Sequence, residues 1–188
     1  MNHPASPSSG KPAGNLIVTS PGAYPPVAVE RPYLPYARML AQDLASPQSE
    51  MTAISQYMYQ SWAAASRASE LAHALRKIAQ VEMHHLDILG RLIVLLGGDP
   101  RFQGVPNNRR SAWSGHCLDY AQALPAMLQS NIAAEQSARN TYLAQANMVR
   151  DSRLAAILRK LAADEDVHIG IFRDFLARCP QEPDRPRK

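Results

Sequence analysis

At 188 residues, with 46% hydrophobic residues and a formal charge of +4, the chain is long enough for one domain with a full core, and no apolar run approaches the roughly twenty residues that cross a bilayer. The opening MNHPASPSSGKPAGNLIVTSPG has only Leu16, Ile17 and Val18 as an apolar run, too short for a signal peptide, so a cytoplasmic location and no membrane partner are expected. Cys117 and Cys179 form no Cys-x-x-Cys pair, which argues against a structural zinc, a rubredoxin-type iron site or a disulfide framework and leaves two reduced thiols.

Proline punctuates the chain. Eight of the fifteen fall in the first 35 residues and three follow Cys179, so residues 1–35 read as a flexible flank and 179–188 as a basic disordered tail, with one helical domain over 36–178 between them. The tail carries Arg185, Arg187 and Lys188, but it is read as solvated and no nucleic acid is expected. A short helix is predicted over Tyr36 to Leu44, then a first long helix from about Ser46 to Ser66 with Pro47 in its opening turn. The second long helix runs from about Ser69 to Leu96 and stops at Gly97 and Gly98. GGDPRFQGVPNN reads as a loop, the third helix spans about Pro125 to Arg150 with an earlier turn from Cys117, and the fourth runs from an Asp151 cap to about Arg178. Helices one and two, and three and four, are joined by a few residues and must form antiparallel hairpins, while the second-to-third connection is long enough to run the length of a bundle.

The second helix interrupts its own apolar stripe. Leu71, Leu75, Ile78, Glu82, His85, Leu89, Leu92 and Leu96 follow one another at spacings of four and three, so a glutamate and a histidine stand where a helix buries leucine. The fourth helix repeats this with Leu154, Leu158, Leu161, Glu165, His168, Phe172 and Phe175, and the same interval separates Glu82 from Glu165 and His85 from His168. The first and third helices each offer one carboxylate followed seven residues later by tyrosine, Glu50 with Tyr57 and Glu135 with Tyr142. The chain is thus an internal duplication. At about 1.5 Å of rise per residue, Glu50, Glu82 and His85 lie roughly 20–24 Å from the first hairpin turn, and Glu135, Glu165 and His168 roughly 21–26 Å from the second. The two trios can therefore meet at mid-bundle.

Four carboxylates and two imidazoles in a dry core repel and desolvate one another, and two histidines cannot satisfy four buried glutamates. Two divalent cations balance the charge, and oxygen with imidazole but no thiolate suits iron or manganese.

At SEMTAISQY, VEMHHLDILG, AAEQSARNTY and DEDVHIGIF, over about residues 46–178, the chain resembles the ferritin-like superfamily, in particular rubrerythrins, bacterioferritins and manganese-catalase-type di-metal carboxylate proteins. The resemblance implies an all-α ferritin-like four-helix bundle, two hairpins with one long crossover, holding two iron or two manganese ions. It implies Glu50 and Glu135 as terminal ligands, Glu82 and Glu165 as bridges, and His85 and His168 as ligands to one metal each. Tyr57 and Tyr142 look like hydrogen-bond donors to the carboxylates across the bundle. In bacterioferritins the residue before each Glu-x-x-His is often an Asp bonded to the opposite histidine; Asp164 matches that pattern towards His85, but Val81 departs from it and leaves His168 without the partner. Met83 stands where bacterioferritins carry a haem-binding methionine, yet packing is the simpler reading and haem is not expected. No fifth helix follows the fourth, so a dimer is expected rather than a closed cage, and without a rubredoxin module a rubrerythrin-type reaction needs an external electron donor. The implied function is redox chemistry on peroxide or dioxygen, as catalase, peroxidase or ferroxidase. The alternative is an iron-storage or coat oligomer in which the metals mainly brace the bundle.

Overall fold

A computed structural model describes residues 16–104 and 111–179. Its helices are α1 (Leu34–Ala45), α2 (Glu50–Ala64), α3 (Ser69–Leu95), α4 (Leu124–Met148) and α5 (Ser152–Ala177). The α3–α4 crossover carries a two-residue antiparallel pair, β1 (Gln103–Gly104) and β2 (Ser111–Ala112), with Gln103 opposite Ala112, and a 3-10 turn at Gly115–Cys117. The all-α architecture is the expected one, with α2/α3 and α4/α5 as the two hairpins and α1 laid against α3. Among the described residues no helix is long and apolar enough to cross a membrane.

Local chemistry sets the helix ends. Helix α2 begins at Glu50 rather than near Ser46, because the Ser49 hydroxyl accepts the Thr52 N–H and makes Ser49 the cap. Asp151 caps α5 by accepting from the N–H groups of Arg153 and Leu154. At the end of α3, Gly97 takes the left-handed conformation (φ 84°), with its N–H and that of Gly98 returning to Val94 and Ile93 carbonyls.

The apolar core is split in two by a polar layer. One cluster gathers Leu40, Leu44, Ile88, Leu92, Leu154 and Leu158; the other gathers Leu71, Leu75, Ile78, Met127, Leu128 and Phe172. Because α3 and α5 run in opposite directions between the same clusters, the break in each stripe falls at one level, and there the two Glu-x-x-His pairs meet.

Composition alone assigns residues 1–35 to a flexible flank, but 16–33 pack along the bundle and Leu34 and Pro35 open α1. Val18 joins one apolar cluster and Tyr24, Val27 and Val29 the other, while Glu30 at the α5 N-terminus gives its N–H to Asp151 and accepts from the Ser152 N–H and hydroxyl. Four buried or half-buried apolar side chains and polar anchoring outweigh the entropy of ordering a stretch that its prolines already stiffen. The remainder of the expected flank, 1–15, and of the expected tail, 180–188, lies outside the described residues.

Candidate metal centre

The polar layer holds Glu50 from α2, Glu82 and His85 from α3, Glu135 from α4, and Glu165 and His168 from α5, each at most 4% exposed. Two groups of four share two members. Glu50, Glu82, His85 and Glu165 each present a ligand atom, all within 4.8 Å of one another, and so do Glu82, Glu135, Glu165 and His168. Glu82 has Oε2 at 3.0 Å from His85 Nδ1 and Oε1 at 2.9 Å from His168 Nδ1. Glu165 mirrors it, with Oε1 at 3.3 Å from His85 Nδ1 and Oε2 at 3.0 Å from His168 Nδ1. Glu50 and Glu135 stand further out, at 3.7 Å and 3.6 Å from the nearer histidine. The arrangement has the pseudo-twofold character of the sequence repeat.

Electrostatics sets Glu50 and Glu135 apart from Glu82. Burial, then the charge of Glu82, pushes both Glu50 and Glu135 well above the ordinary carboxylate range. Burial would raise Glu82 as well, yet His168 and His85 beside it hold it below that range. Desolvation opposes the charging of both histidines but loses to Glu165 at His85 and to Glu82 and Glu135 at His168, so both are raised well above the ordinary value.

The protein groups do not satisfy one another. Glu82 Oε1 and Oε2, His85 Nδ1 and Glu165 Oε1 are buried with no hydrogen-bond partner among the described residues, although ionic distances around them are short. Each such orphan costs about 1–3 kcal/mol. Four orphaned atoms aimed into one space, on an oxygen-and-imidazole donor set, fit a pair of divalent cations.

The tyrosines act across the two hairpins: Tyr57 donates its hydroxyl to Glu135 and Tyr142 to Glu50. Burial first, and then the partner carboxylate, keeps both phenols protonated far above their usual range. On the outer side of the histidines, Asp164 Oδ2 accepts from His85 Nε2 at 3.3 Å. His168 is not left without a partner as Val81 suggests: its Nε2 donates to the backbone carbonyl of Val18 at 2.9 Å. A backbone acceptor contributed from 150 residues away leaves no pattern in the side chains, so sequence reasoning misses it. The Asp164 clamp of Ser20, Tyr24 and Lys160 goes unseen for the same reason.

One side of the cluster is open. A cavity of about 350 Å³ lies between α2 and α4 and reaches Glu50, Tyr57, Glu82, Glu135, Tyr142 and Glu165. The crossover is tied beside it, with Gln56 Oε1 accepting the Asp119 N–H at 2.6 Å and Trp113 Nε1 donating to Thr52 at 2.9 Å. Cys117 also lines the cavity as a free thiol, and Met83 lies on the outer face of α3, 46% exposed.

A family model described as a ferritin-like domain matches residues 45–181. The chain belongs to the ferritin-like family. It is 30% identical to a bacterioferritin of Mycobacterium leprae over 152 residues, 77% of this chain and 85% of that protein. It is 26% identical to a probable manganese catalase of Clostridium acetobutylicum over 174 residues, 83% of this chain and 76% of the relative. Its fold matches the crystal structure of a manganese catalase from Anabaena PCC7120 with a TM-score of 0.75 at 23% identity, over 86% of this chain and 82% of that one. As a member of the ferritin-like family the chain carries a carboxylate and histidine cluster that could hold a dinuclear metal site.

Proposed function

We propose that this ferritin-like protein binds two iron or two manganese ions through Glu50, Glu82, His85, Glu135, Glu165 and His168, and carries out redox chemistry on hydrogen peroxide or dioxygen. The observation that carries the redox reading is the cavity between α2 and α4, which ends on Glu82 and Glu165, the two residues common to both ligand groups. A centre that only braced the bundle would gain from being sealed by packing, whereas a small oxidant needs such an entrance.

In this reading Glu82 and Glu165, common to both groups, would serve both ions, while Glu50 and His85 would complete one set and Glu135 and His168 the other. Bound there, a pair of redox-active ions supplies two one-electron changes to a single oxidant. The chain's own groups do the rest. Tyr57 and Tyr142 keep their protons and stand at the cavity as the donors that orient Glu135 and Glu50. Residues 18–24 lie on the side where both histidines turn their outer nitrogens, His168 towards the Val18 carbonyl and His85 towards Asp164.

A second reading, iron storage or a structural oligomer, is favoured by the likeness to the bacterioferritin of Mycobacterium leprae. A homodimer and, for a peroxidase, an external electron donor accompany the first reading. The test loads the purified protein separately with Fe2+ and Mn2+ and follows peroxide consumption, oxygen evolution and Fe2+ oxidation under air. Turnover in one metal form by a dimer-sized species is the expected result; a cage-sized species that accumulates iron without catalytic peroxide turnover supports storage instead.

A further inference from the structure

The two histidines of the cluster are backed by different chemistry. His85 Nε2 faces a carboxylate, Asp164, and His168 Nε2 faces a peptide carbonyl, that of Val18. The internal repeat pairs position 164 with position 81, and position 81 holds valine. A backbone group from the extended N-terminal segment fills the missing place.

That segment also holds the other histidine's acceptor. Asp164 Oδ1 accepts from the Ser20 N–H and the Ser20 hydroxyl, both at 2.6 Å, and Oδ2 accepts from the Tyr24 hydroxyl at 2.5 Å. Lys160 Nζ joins the two partners, 2.9 Å from the Ser20 carbonyl and 2.9 Å from Asp164 Oδ1, with its ammonium 4.6 Å from the centre of the Tyr24 ring. Asp164 is fully buried and Lys160 is 8% exposed. Residues 18–24 therefore reach His168 directly, through the Val18 carbonyl, and His85 at one remove, through Asp164.

We propose that residues 18–24 form a positioning strap for the dimetal centre, with Val18 orienting His168 directly and Ser20 and Tyr24 orienting His85 through Asp164, so that strap docking and metal binding strengthen each other. The inference rests on the dimetal reading above. An imidazole that donates from Nε2 to a fixed acceptor keeps its proton there and turns the lone pair of Nδ1 towards the carboxylates. A cation on Nδ1 polarises the Nε2–H bond and tightens its hold on the acceptor, and linkage requires the converse: a docked strap raises cation affinity. Ser20, Tyr24 and Val18 are positioning residues, since none of them touches the space between the carboxylates.

The test uses the full-length protein with Co2+ as the probe, whose visible absorption reports its coordination. Hydrogen–deuterium exchange with and without Co2+ is expected to slow across residues 18–24, at the Ser20 amide in particular. Tyr24→Phe and Ser20→Ala are each expected to weaken Co2+ binding by about tenfold, the lower end for loss of a group that supports a metal ligand. Val18→Gly, which loosens the carbonyl, is expected to do the same. Val81→Asp restores affinity in the Val18→Gly background, because it offers His168 a side-chain acceptor, and does not restore it in the Tyr24→Phe background. Exchange over 18–24 that is unchanged by Co2+ while α3 and α5 become protected, or wild-type Co2+ affinity in the strap variants, overturns the strap and leaves the dimetal reading standing. Wild-type protein that binds no Co2+ overturns both. The exchange measurement needs no variant, so a substitution that fails to fold does not remove the test.

Discussion

Glu82 and His168, from different hairpins, approach to 2.9 Å at the centre of the bundle, and Glu165 and His85 make the reciprocal approach at 3.3 Å. Each inner glutamate thus belongs to both halves of the duplication. Removing one should damage both ion positions, while removing a ligand that belongs to one group should damage one. Glu165→Ala is expected to abolish tight binding of both ions, and His85→Ala to leave one ion bound, by calorimetric titration of each purified variant with Mn2+. Equal losses in the two variants contradict the shared role.

Without cations, Glu82 acts as a counterion to both histidines. Glu82→Leu in chelator-treated protein is expected to lower Tm by several degrees, since it takes from His85 and His168 the carboxylate that stands 3.0 Å and 2.9 Å from their Nδ1 atoms. Excess metal widens the gap, because the wild-type protein gains more binding energy from the ions. Thermal melts with and without chelator check both signs, and a variant at least as stable as wild type under chelation counts against it.

Metal uptake should release protons. Burial holds protons on Glu50 and Glu135, and neighbouring carboxylates hold them on His85 and His168. Cations compete with those protons, so affinity rises as pH rises and protons are released on binding. Calorimetry in buffers of different ionisation enthalpy measures their number. Affinity independent of pH contradicts the reading.

Asp43 offers a pH effect outside the ligand set. Burial raises its carboxyl to about 7 despite the hydrogen bonds that Gln145 Nε2 donates to both oxygens. The folded state therefore binds the proton more tightly than the unfolded chain. The stability it contributes is complete below pH 4 or so and is lost as pH rises towards 7. Asp43→Asn keeps a neutral acceptor at every pH. It should match wild-type Tm near pH 4 and exceed it at pH 8, by about 3 °C for each kcal/mol recovered. The Tm difference followed from pH 4 to 8 shows whether the gap opens in that direction.

Tyr57→Phe and Tyr142→Phe each remove a single hydroxyl and leave the ring packing in place. Each is expected to lower stability by about 1 kcal/mol by freeing a carboxylate oxygen, and to slow turnover at unchanged metal content. Metal content and turnover measured on one preparation separate misplacement of a ligand from its loss.

The bundle and its polar layer were legible because they are written in helical periodicity. Glu82, His85, Glu165 and His168 break two stripes that otherwise read as leucine, and hairpin geometry forces those breaks to one depth. The N-terminal strap was not legible. Its attachments use the Val18 carbonyl, the Ser20 amide and a tyrosine in a proline-rich stretch, and a backbone acceptor is the same atom in every residue. Proline counts signalled the absence of regular structure and said nothing about docking. The short β1–β2 pair was missed for a related reason, since two residues per strand carry no alternation to detect.

Anomalous diffraction from crystals loaded with Mn2+ or Fe2+, collected at that metal's absorption edge, tests the central claim most directly. The account predicts two peaks in each chain, one among Glu50, Glu82, His85 and Glu165 and the other among Glu82, Glu135, Glu165 and His168. A single peak, or peaks found only outside the bundle, would contradict it.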